Sequence, residues 1–276
     1  MNPTTNPARR PRRRHQDRTG HEIPELGCWA RRIRESRNLS RPRAAEHLHI
    51  SKELLKMIER GDAGCTAAVL NKLVDIYGLD RAQQRYTRDL ALPPVPLPPL
   101  EELRVRTLTP DRRAKLARLD DRGVAAAYID PLWNLVLANQ RFRAAVPGIE
   151  QYGDNLCLWF FHPGSTAPTA EPSVLHHRST ATYLVATLRG ALGRHRRTPH
   201  ARTLYQDLRG SALFSQIWDT SIAVAYGRRP DDPVHLRDPT TGEVYSVRIH
   251  LGDAPGSPDA RFCLCYRQPY SGPELT

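Results

Sequence analysis

Hydrophobic positions recur at helical spacing through residues 25–90. In "ELGCWARRIRESRN" the apolar residues Leu26, Trp29 and Ile33 fall on one face and the arginines on the other. Four further amphipathic stretches follow before residue 90, and they are separated by cap and stop residues such as Ser40, Ser51 and Gly61. The pattern predicts five short helices, and therefore an all-α domain over residues 25–90.

The second and third predicted helices are joined by a very short connection. Ser40 and Ser51 are good N-caps, and only three or four residues separate the helices, so they must cross at a steep angle. On the third helix Leu55 and Ile58 share the inner face. The outer face carries the charged residues Lys52, Glu53 and Lys56.

An exposed helix with two lysines near its start is suited to the major groove of DNA. Lysines bind bases and phosphates, and a carboxylate such as Glu53 can accept from cytosine N4, although it would be unfavourable against phosphates alone. A small helical bundle with a solvated charged face is the alternative interpretation. The predicted DNA-contacting residues are Ser40, Arg41, Ser51, Lys52, Glu53 and Lys56.

Beyond residue 90 the pattern changes twice. The proline-rich segment "LALPPVPLPPLEELR" predicts a stiff linker over residues 91–104. A helix over 110–120, two strands around an Asp-Pro turn and a helical middle follow, and "PVHLRD", "GEVYSVRIHL" and "ARFCLCYRQ" then alternate with period two. We therefore expect an α+β domain over residues 105–268, with an antiparallel sheet of about five strands and inserted helices, and a tail over 269–276.

Charge is concentrated near the N-terminus. The chain carries a formal net charge of +12, and residues 1–90 hold 19 Lys+Arg against 11 Asp+Glu, a net of +8. A polyanionic partner is indicated, although the excess of arginine over lysine is also typical of a GC-rich genome. Residues 1–24 are basic, proline-containing and without apolar residues to bury, and we expect a disordered arm rather than a secretory signal, in a cytoplasmic protein.

Candidate catalytic and metal-binding chemistry is sparse. The five cysteines are scattered and do not suggest a disulfide framework; only Cys263 and Cys265 are close, on one face of a predicted strand. No GxSxG, GxGxxG, GxxxxGK or HExxH motif occurs. We predict no catalytic residue, no metal and no cofactor; an enzymatic site of unfamiliar type in the second domain is the weaker alternative.

The segment from Leu39 to Gly61 resembles the Xre-type (lambda-repressor-like) helix-turn-helix family. That pattern runs Leu-Ser/Thr-Gln-x-x-Leu-Ala, then Gly-Val-Ser, then Ile-Glu-x-Gly. This chain departs from it at Arg41, where glutamine commonly contacts DNA, at Ala44 and at His49, which replaces the turn glycine. The resemblance implies a phosphate or guanine contact for Arg41 and a structural role for Glu59. The matching residues are Leu39, Ser40, Ala45, Ile50, Ser51, Leu55, Ile58, Glu59 and Gly61.

Residues 105–268 resemble the ligand-binding domain of MmyB-like regulators, a PAS-like sheet that follows Xre-type domains in actinobacteria. The similarity rests on "AAYIDPLWNLVLANQRFRAAV", "DNLCLWFF", "LRGSALFSQIWD" and "VHLRDPTTGEVYSVRIHL". The family's Arg-His-Asp-Val-like run is missing, because "DTSIAVAYGRR" follows Trp218.

The two resemblances together imply a transcription regulator that binds double-stranded operator DNA, usually as a homodimer. A PAS-like fold implies a cavity for a small acyl or aromatic effector, with an arginine such as Arg178 or Arg189 binding a carboxylate. Aromatic residues at these spacings are also typical of an ordinary core, and the second domain could serve only for dimerisation or protein docking. The candidate pocket residues are Tyr128, Trp133, Phe142, Trp159, Arg178, Phe214 and Trp218.

Overall fold

The computed structural model describes residues 23–161, 170, 172–229 and 231–275. The predicted basic arm falls outside this part of the chain except for its last two residues. One of these, Ile23, is buried in the core of the second domain. None of the described helices is long and apolar enough to cross a bilayer.

Residues 26–91 form the five predicted helices. The hydroxyls of Ser40 and Ser51 accept hydrogen bonds from the backbone N–H groups of Arg43 and Leu54, so both act as N-caps. Gly61 ends the third helix at a φ of +75°, a conformation that glycine adopts without strain. The helices are α1 Leu26–Ser36, α2 Arg41–His47, α3 Lys52–Arg60, α4 Ala67–Ile76 and α5 Arg81–Ala91.

The proline-rich segment is docked on the second domain. Leu97 is buried in that domain's core, and the backbone N–H of Val95 donates to the carbonyl of Arg194 over 2.9 Å. Helix α6, Leu100–Thr107, begins inside the range predicted as linker. Pro99 precedes it and Glu101 and Glu102 occupy its first turn, where carboxylates favour helix formation.

The second domain is α+β, as predicted. Its described residues form a five-stranded antiparallel sheet in the order β2-β1-β5-β4-β3. The strands are β1 Ala125–Ile129, β2 Leu135–Ala138, β3 Val234–Arg237, β4 Val244–Ala254 and β5 Ser257–Pro269. The helices are α7 Pro110–Asp121, α8 Gln140–Ala144, α9 Leu156–Phe161, α10 His177–His195, α11 Pro199–Arg209 and α12 Ala212–Thr220, with a 3₁₀ turn at Ile149–Tyr152.

The eight residues "GDAPGSPD" separate the predicted strands "GEVYSVRIHL" and "ARFCLCYRQ" and were expected to form a loop, but most of them are strand. Pro255 and Gly256 alone connect β4 to β5, and Gly256 has a φ of +68°. A two-residue connection with a glycine at positive φ is typical of a tight hairpin. The prediction placed a longer loop here because Gly, Asp and Pro are turn-forming residues wherever they occur.

Helices cover both faces of the sheet. Leu103 of α6 and Leu116 of α7 pack with Tyr128 and Phe262 on one face. Helices α8 to α12 pack on the opposite face, where the largest apolar cluster of the described residues lies. Both faces of β1 and β5 are therefore apolar.

The two domains contact each other through α5 and α10. A Cβ at Gly193 would lie 2.2 Å from Cε2 of Tyr86, which is itself buried, so only glycine allows this approach. The buried Arg196 guanidinium donates to the carbonyls of Leu90 (3.2 Å) and Leu92 (2.8 Å) at the end of α5. These contacts dock the helical domain on the longest helix of the second domain.

Candidate DNA-binding surface and ligand cavity

The outward face of α3 is exposed and charged. Lys52 and Glu53 are exposed, Lys56 is partly exposed, and the Lys56 Nζ lies 3.4 Å from Glu53 Oε2. Exposed pairs of this kind contribute little to stability, so both lysines remain able to bind another partner. Helix α3 packs against α1 and α2; its Leu55 is part of the apolar core of the helical domain, and its Ile58 is also buried.

A buried carboxylate positions α3. The Glu59 side chain is 1% exposed; its Oε2 accepts from Arg34 Nη2 on α1 (3.2 Å) and from Arg41 Nε on α2 (2.7 Å). The hydrogen bond to Glu59 raises the pKa of the Arg34 guanidinium. This network ties three helices together and agrees with the structural role expected for Glu59. The Arg41 side chain is 36% exposed, although its Nε donates to the buried Glu59 carboxylate.

Close packing of α1 on α3 depends on a glycine. A Cβ at Gly27 would lie 2.4 Å from the carbonyl oxygen of Ile58. The turn between α2 and α3 has a second special residue, since His49 has a φ of +51° and is exposed. His49, which stands where the resembling family has a turn glycine, thus adopts a left-handed conformation at a cost of about 1–2 kcal/mol.

A cavity of about 320 Å³ lies between the sheet and helices α8 to α10. Of the predicted pocket residues, Trp133, Phe142 and Trp159 line it, together with Phe160, Tyr183 and Leu184. Apolar walls with few polar groups are typical of small-molecule sites.

The other four predicted pocket residues lie elsewhere. Tyr128 is on the opposite face of the sheet, with its ring centroid 4.8 Å from that of Phe262. Phe214 and Trp218 stack on each other in the core, 5.5 Å between centroids. Arg178 is exposed and donates to Gln216 Oε1 over 3.3 Å. Arg189, also considered for a carboxylate, is buried against the carbonyl of Trp218, outside the cavity wall.

A strained turn presents Trp133 to the cavity. Trp133 has a φ of +67°, and its indole N–H donates to Thr187 Oγ1 over 3.1 Å. The buried Asp130 carboxylate organises this turn by accepting from the backbone N–H groups of Leu132 (2.8 Å) and Asn134 (2.9 Å). Burial raises the pKa of Asp130 to about 6.

The polar groups of the cavity wall come from places that the sequence analysis did not single out. They belong to Arg141, Arg228, Arg267, Asp238, Thr180, Tyr183 and Tyr245. The thiols of Cys263 and Cys265 also line the wall, with 3.7 Å between the Sγ atoms. Across the described part of the chain, no three His, Cys, Asp or Glu side chains are grouped as metal ligands would be.

A helix-turn-helix with an exposed basic helix, joined to an α+β domain with an apolar cavity, defines the class of DNA-binding regulators that carry a sensor domain. The model of the MmyB-like transcription regulator ligand binding domain matches residues 108–273, and the chain belongs to this family. A helix-turn-helix domain model matches residues 25–86. No similar protein was found among curated proteins.

Proposed function

We propose that this DNA-binding transcription regulator recognises a specific operator through the outward face of α3, and that a small apolar effector in the cavity sets its operator affinity. The observation that carries the proposal is the exposed Lys52–Glu53–Lys56 face on a helix held rigidly by Glu59. Such a helix can present its N-terminal residues to base edges while flanking groups meet phosphates.

The proposed DNA contacts are of two kinds, those of the α3 face with bases and phosphates and those of neighbouring residues with phosphates alone. Lys52, Glu53 and Lys56 are the proposed base and phosphate contacts of α3, since they share its outward face. Ser40 and Ser51 cap α2 and α3, and their hydroxyl protons remain able to donate to phosphate. Arg41 is proposed as a phosphate contact through the exposed part of its guanidinium.

We propose a homodimer as the DNA-binding form. Two-fold symmetric regulators of this type bind half-sites about one helical turn, roughly 34 Å, apart, and one small helical domain alone has few base-contacting side chains. Light scattering on a size-exclusion column at micromolar concentration should give twice the chain mass of 31.2 kDa. A monomer that keeps full operator affinity would contradict the dimer.

The cavity supports an acyl or aromatic effector, because its aromatic side chains surround a space of about 320 Å³. An effector changes operator affinity only if it binds the DNA-competent and DNA-incompetent arrangements differently. Both matching families indicate a regulator rather than an enzyme, and we assign no catalytic role to the cavity. Binding to chromosomal DNA supports a cytoplasmic site of action.

Selection from a pool of random-sequence duplexes tests the function without knowledge of the operator. The full chain should enrich a pseudo-palindromic motif with half-sites one turn apart. Lys52→Ala/Lys56→Ala should enrich nothing, whereas Lys72→Ala/Lys115→Ala, which removes the same charge from other helices, should enrich the wild-type motif. Failure of the wild-type chain to enrich any motif would overturn the proposal.

A further inference from the structure

Two cysteine thiols meet on the wall of the cavity. Cys263 and Cys265 lie on β5, the central strand of the sheet, and side chains two residues apart on a strand point to the same face. Their Sγ atoms are 3.7 Å apart, and both residues line the cavity. Cys263 is 3% exposed and Cys265 is partly exposed. The two sulfurs therefore form a pair that a small ligand can reach from the cavity.

The regular geometry of β5 disfavours a disulfide between these two thiols. Both cysteines lie in unbroken antiparallel pairing with β1 and β4. Side chains two residues apart on such a strand leave it nearly in parallel from Cα atoms about 6.6 Å apart, whereas a disulfide usually requires Cβ atoms about 3.5–4.5 Å apart. Direct oxidation would thus distort the central strand. An ion between the two sulfurs spans a longer distance, and it can bridge them while the backbone stays regular.

The distance between the sulfurs suits a bridging ion. Two metal–sulfur bonds of about 2.3 Å each, the length that zinc forms with thiolates, would place the Sγ atoms at most about 4.6 Å apart. The observed distance is 3.7 Å, so a small rotation of either side chain brings the sulfurs to that separation. The cross-strand partners of Cys263 and Cys265 on β1 are Ala127 and Ala125. Their short side chains leave room for an ion beside the sulfurs.

The number of available ligands decides the kind of ion. Within the described ranges no third His, Cys, Asp or Glu side chain joins the pair, and the methionine of that part of the chain, Met57, lies on α3 of the other domain. Zinc sites take three or four protein ligands, and calcium and magnesium require oxygen ligands. Cu(I) is a soft ion that prefers sulfur and is stable with two thiolates arranged in line. The pair therefore favours Cu(I) over these commoner metals.

The charges around the cavity also favour a monovalent cation. Two thiolates and one Cu(I) carry a single net negative charge, whereas two thiolates and a divalent cation are neutral. The described lining residues include three arginines and a single carboxylate, that of Asp238. Among them the Arg228 side chain is 4% exposed, is paired with Asp232 over 3.2 Å and keeps a buried Nη1 without a hydrogen-bond partner among the described residues. A buried guanidinium of this kind stabilises a negative charge in the cavity.

We propose that Cys263 and Cys265 together bind one Cu(I) ion as thiolates in the wall of the cavity. Two thiol protons pass to solvent when the ion binds, and neither copper nor sulfur changes its oxidation state. The proposal does not rest on the proposed function, because it requires neither DNA nor an effector. It differs from the prediction of no metal, which was drawn from the absence of zinc-type motifs such as HExxH. A site with two ligands needs no such motif.

Anaerobic titration of the full chain with Cu(I) in the presence of bathocuproine disulfonate, a chelator whose Cu(I) complex is coloured, tests the site. Wild type should withdraw one Cu(I) per chain from the chelator. Cys263→Ala and Cys265→Ala should each lose this binding, because a single thiolate cannot hold the ion against the chelator. Cys28→Ala/Cys65→Ala, which removes two thiols from the helical domain, is the matched control and should bind as wild type does.

Thermal melts establish that each variant is folded before titration. Cys265→Ser, which nearly keeps the size of the side chain at the partly exposed position, gives the same test if an alanine variant unfolds.

Two further measurements identify the ion and its ligands. Copper-edge X-ray absorption of the loaded wild-type chain should show two sulfur neighbours and no nitrogen or oxygen neighbour. Zn(II) offered to the wild-type chain should be lost on desalting, since the pair supplies only two of the ligands that zinc requires. Failure of wild type to compete for Cu(I), full binding by either alanine variant, loss of binding in the control, a nitrogen or oxygen neighbour, or retention of Zn(II) would each overturn the proposal.

Discussion

The helical domain and the cavity domain each use a buried carboxylate to position a functional element, and the two carboxylates are partnered differently. Glu59 holds α3 through the guanidinium groups of Arg34 and Arg41. Asp130 holds the Trp133 turn through backbone and amide N–H groups, which are neutral. A buried charge with cationic partners is costly to unpair, whereas one with neutral donors is sensitive to protonation. The position of α3 should therefore be sensitive to mutation of Glu59, whereas the Trp133 turn should be sensitive to pH through Asp130.

The largest expected effect is at Glu59. Glu59→Ala removes the buried carboxylate partner of the Arg34 side chain, which is 7% exposed, and leaves it only the half-exposed Glu35 carboxylate at 3.3 Å. Breaking a buried pair typically costs about 3–5 kcal/mol of the free energy of unfolding. Urea unfolding measures the loss, and Glu53→Ala on the exposed face of α3 should change stability by less than about 0.5 kcal/mol. Similar losses in the two variants would show that Glu59 is not the acid that holds α3.

The next effect is a pH dependence from Asp130. Its pKa of about 6 in the folded protein lies above its ordinary value, so the folded state binds more protons at intermediate pH. The resulting stability is present at low pH and is lost as pH rises through about 6. One pKa unit corresponds to about 1.4 kcal/mol. Between pH 4.5 and 7 the free energy of unfolding of wild type should therefore fall by on the order of 2 kcal/mol relative to that of Asp130→Asn. Parallel pH profiles of the two proteins in urea unfolding would contradict this.

A smaller effect is expected at the contact between the two domains. Gly193→Ala places a methyl group against the buried Tyr86 ring. Overpacking typically destabilises a protein by about 1–3 kcal/mol. The higher helix propensity of alanine offsets up to about 1 kcal/mol of this. We therefore expect the free energy of unfolding, measured by thermal unfolding, to fall by about 1–2 kcal/mol. Gly252→Ala, whose Cβ would meet no atom within 4 Å, is the control. An unchanged Gly193→Ala protein would mean that α5 and α10 are not tightly docked.

The smallest effect is a gain in stability at His49. His49→Gly relieves the strain of a φ of +51°, and the extra flexibility of glycine in the unfolded chain offsets part of that gain. We expect an increase of about 0.5–1 kcal/mol in the free energy of unfolding, with DNA binding unchanged. His47→Gly, at a helical position, should instead be destabilising. A loss of stability in His49→Gly would mean that the side chain contributes contacts that outweigh the strain.

The sequence predicted the helical domain well because its signals are local. The caps Ser40 and Ser51 and the stop Gly61 lie beside the residues they act on, and apolar spacing identifies the inner face of each helix. The Glu59 contacts were anticipated as structural only through the family resemblance. Its partner Arg34 lies 25 residues away, and no periodicity links them.

The cavity was predicted only in part because its geometry depends on long-range packing. Trp133, Phe142 and Trp159 were identified as large apolar residues. Tyr128 could not be separated from them because both faces of β1 are covered by helices, so alternation does not reveal which face borders the cavity. Arg228 lies in an irregular segment where no periodic pattern predicts the direction of a side chain.

The proposed function requires that the outward face of α3 distinguishes DNA sequences. Fluorescence anisotropy should compare the selected duplex with a scrambled duplex, for wild type, Lys52→Ala/Lys56→Ala and Lys72→Ala/Lys115→Ala, at two salt concentrations. We predict that wild type and the Lys72/Lys115 variant prefer the selected duplex and that the Lys52/Lys56 variant binds both duplexes weakly and equally, with a shallower salt dependence. An unchanged preference in the Lys52/Lys56 variant would contradict the proposed role of α3 and would move sequence recognition to another part of the chain.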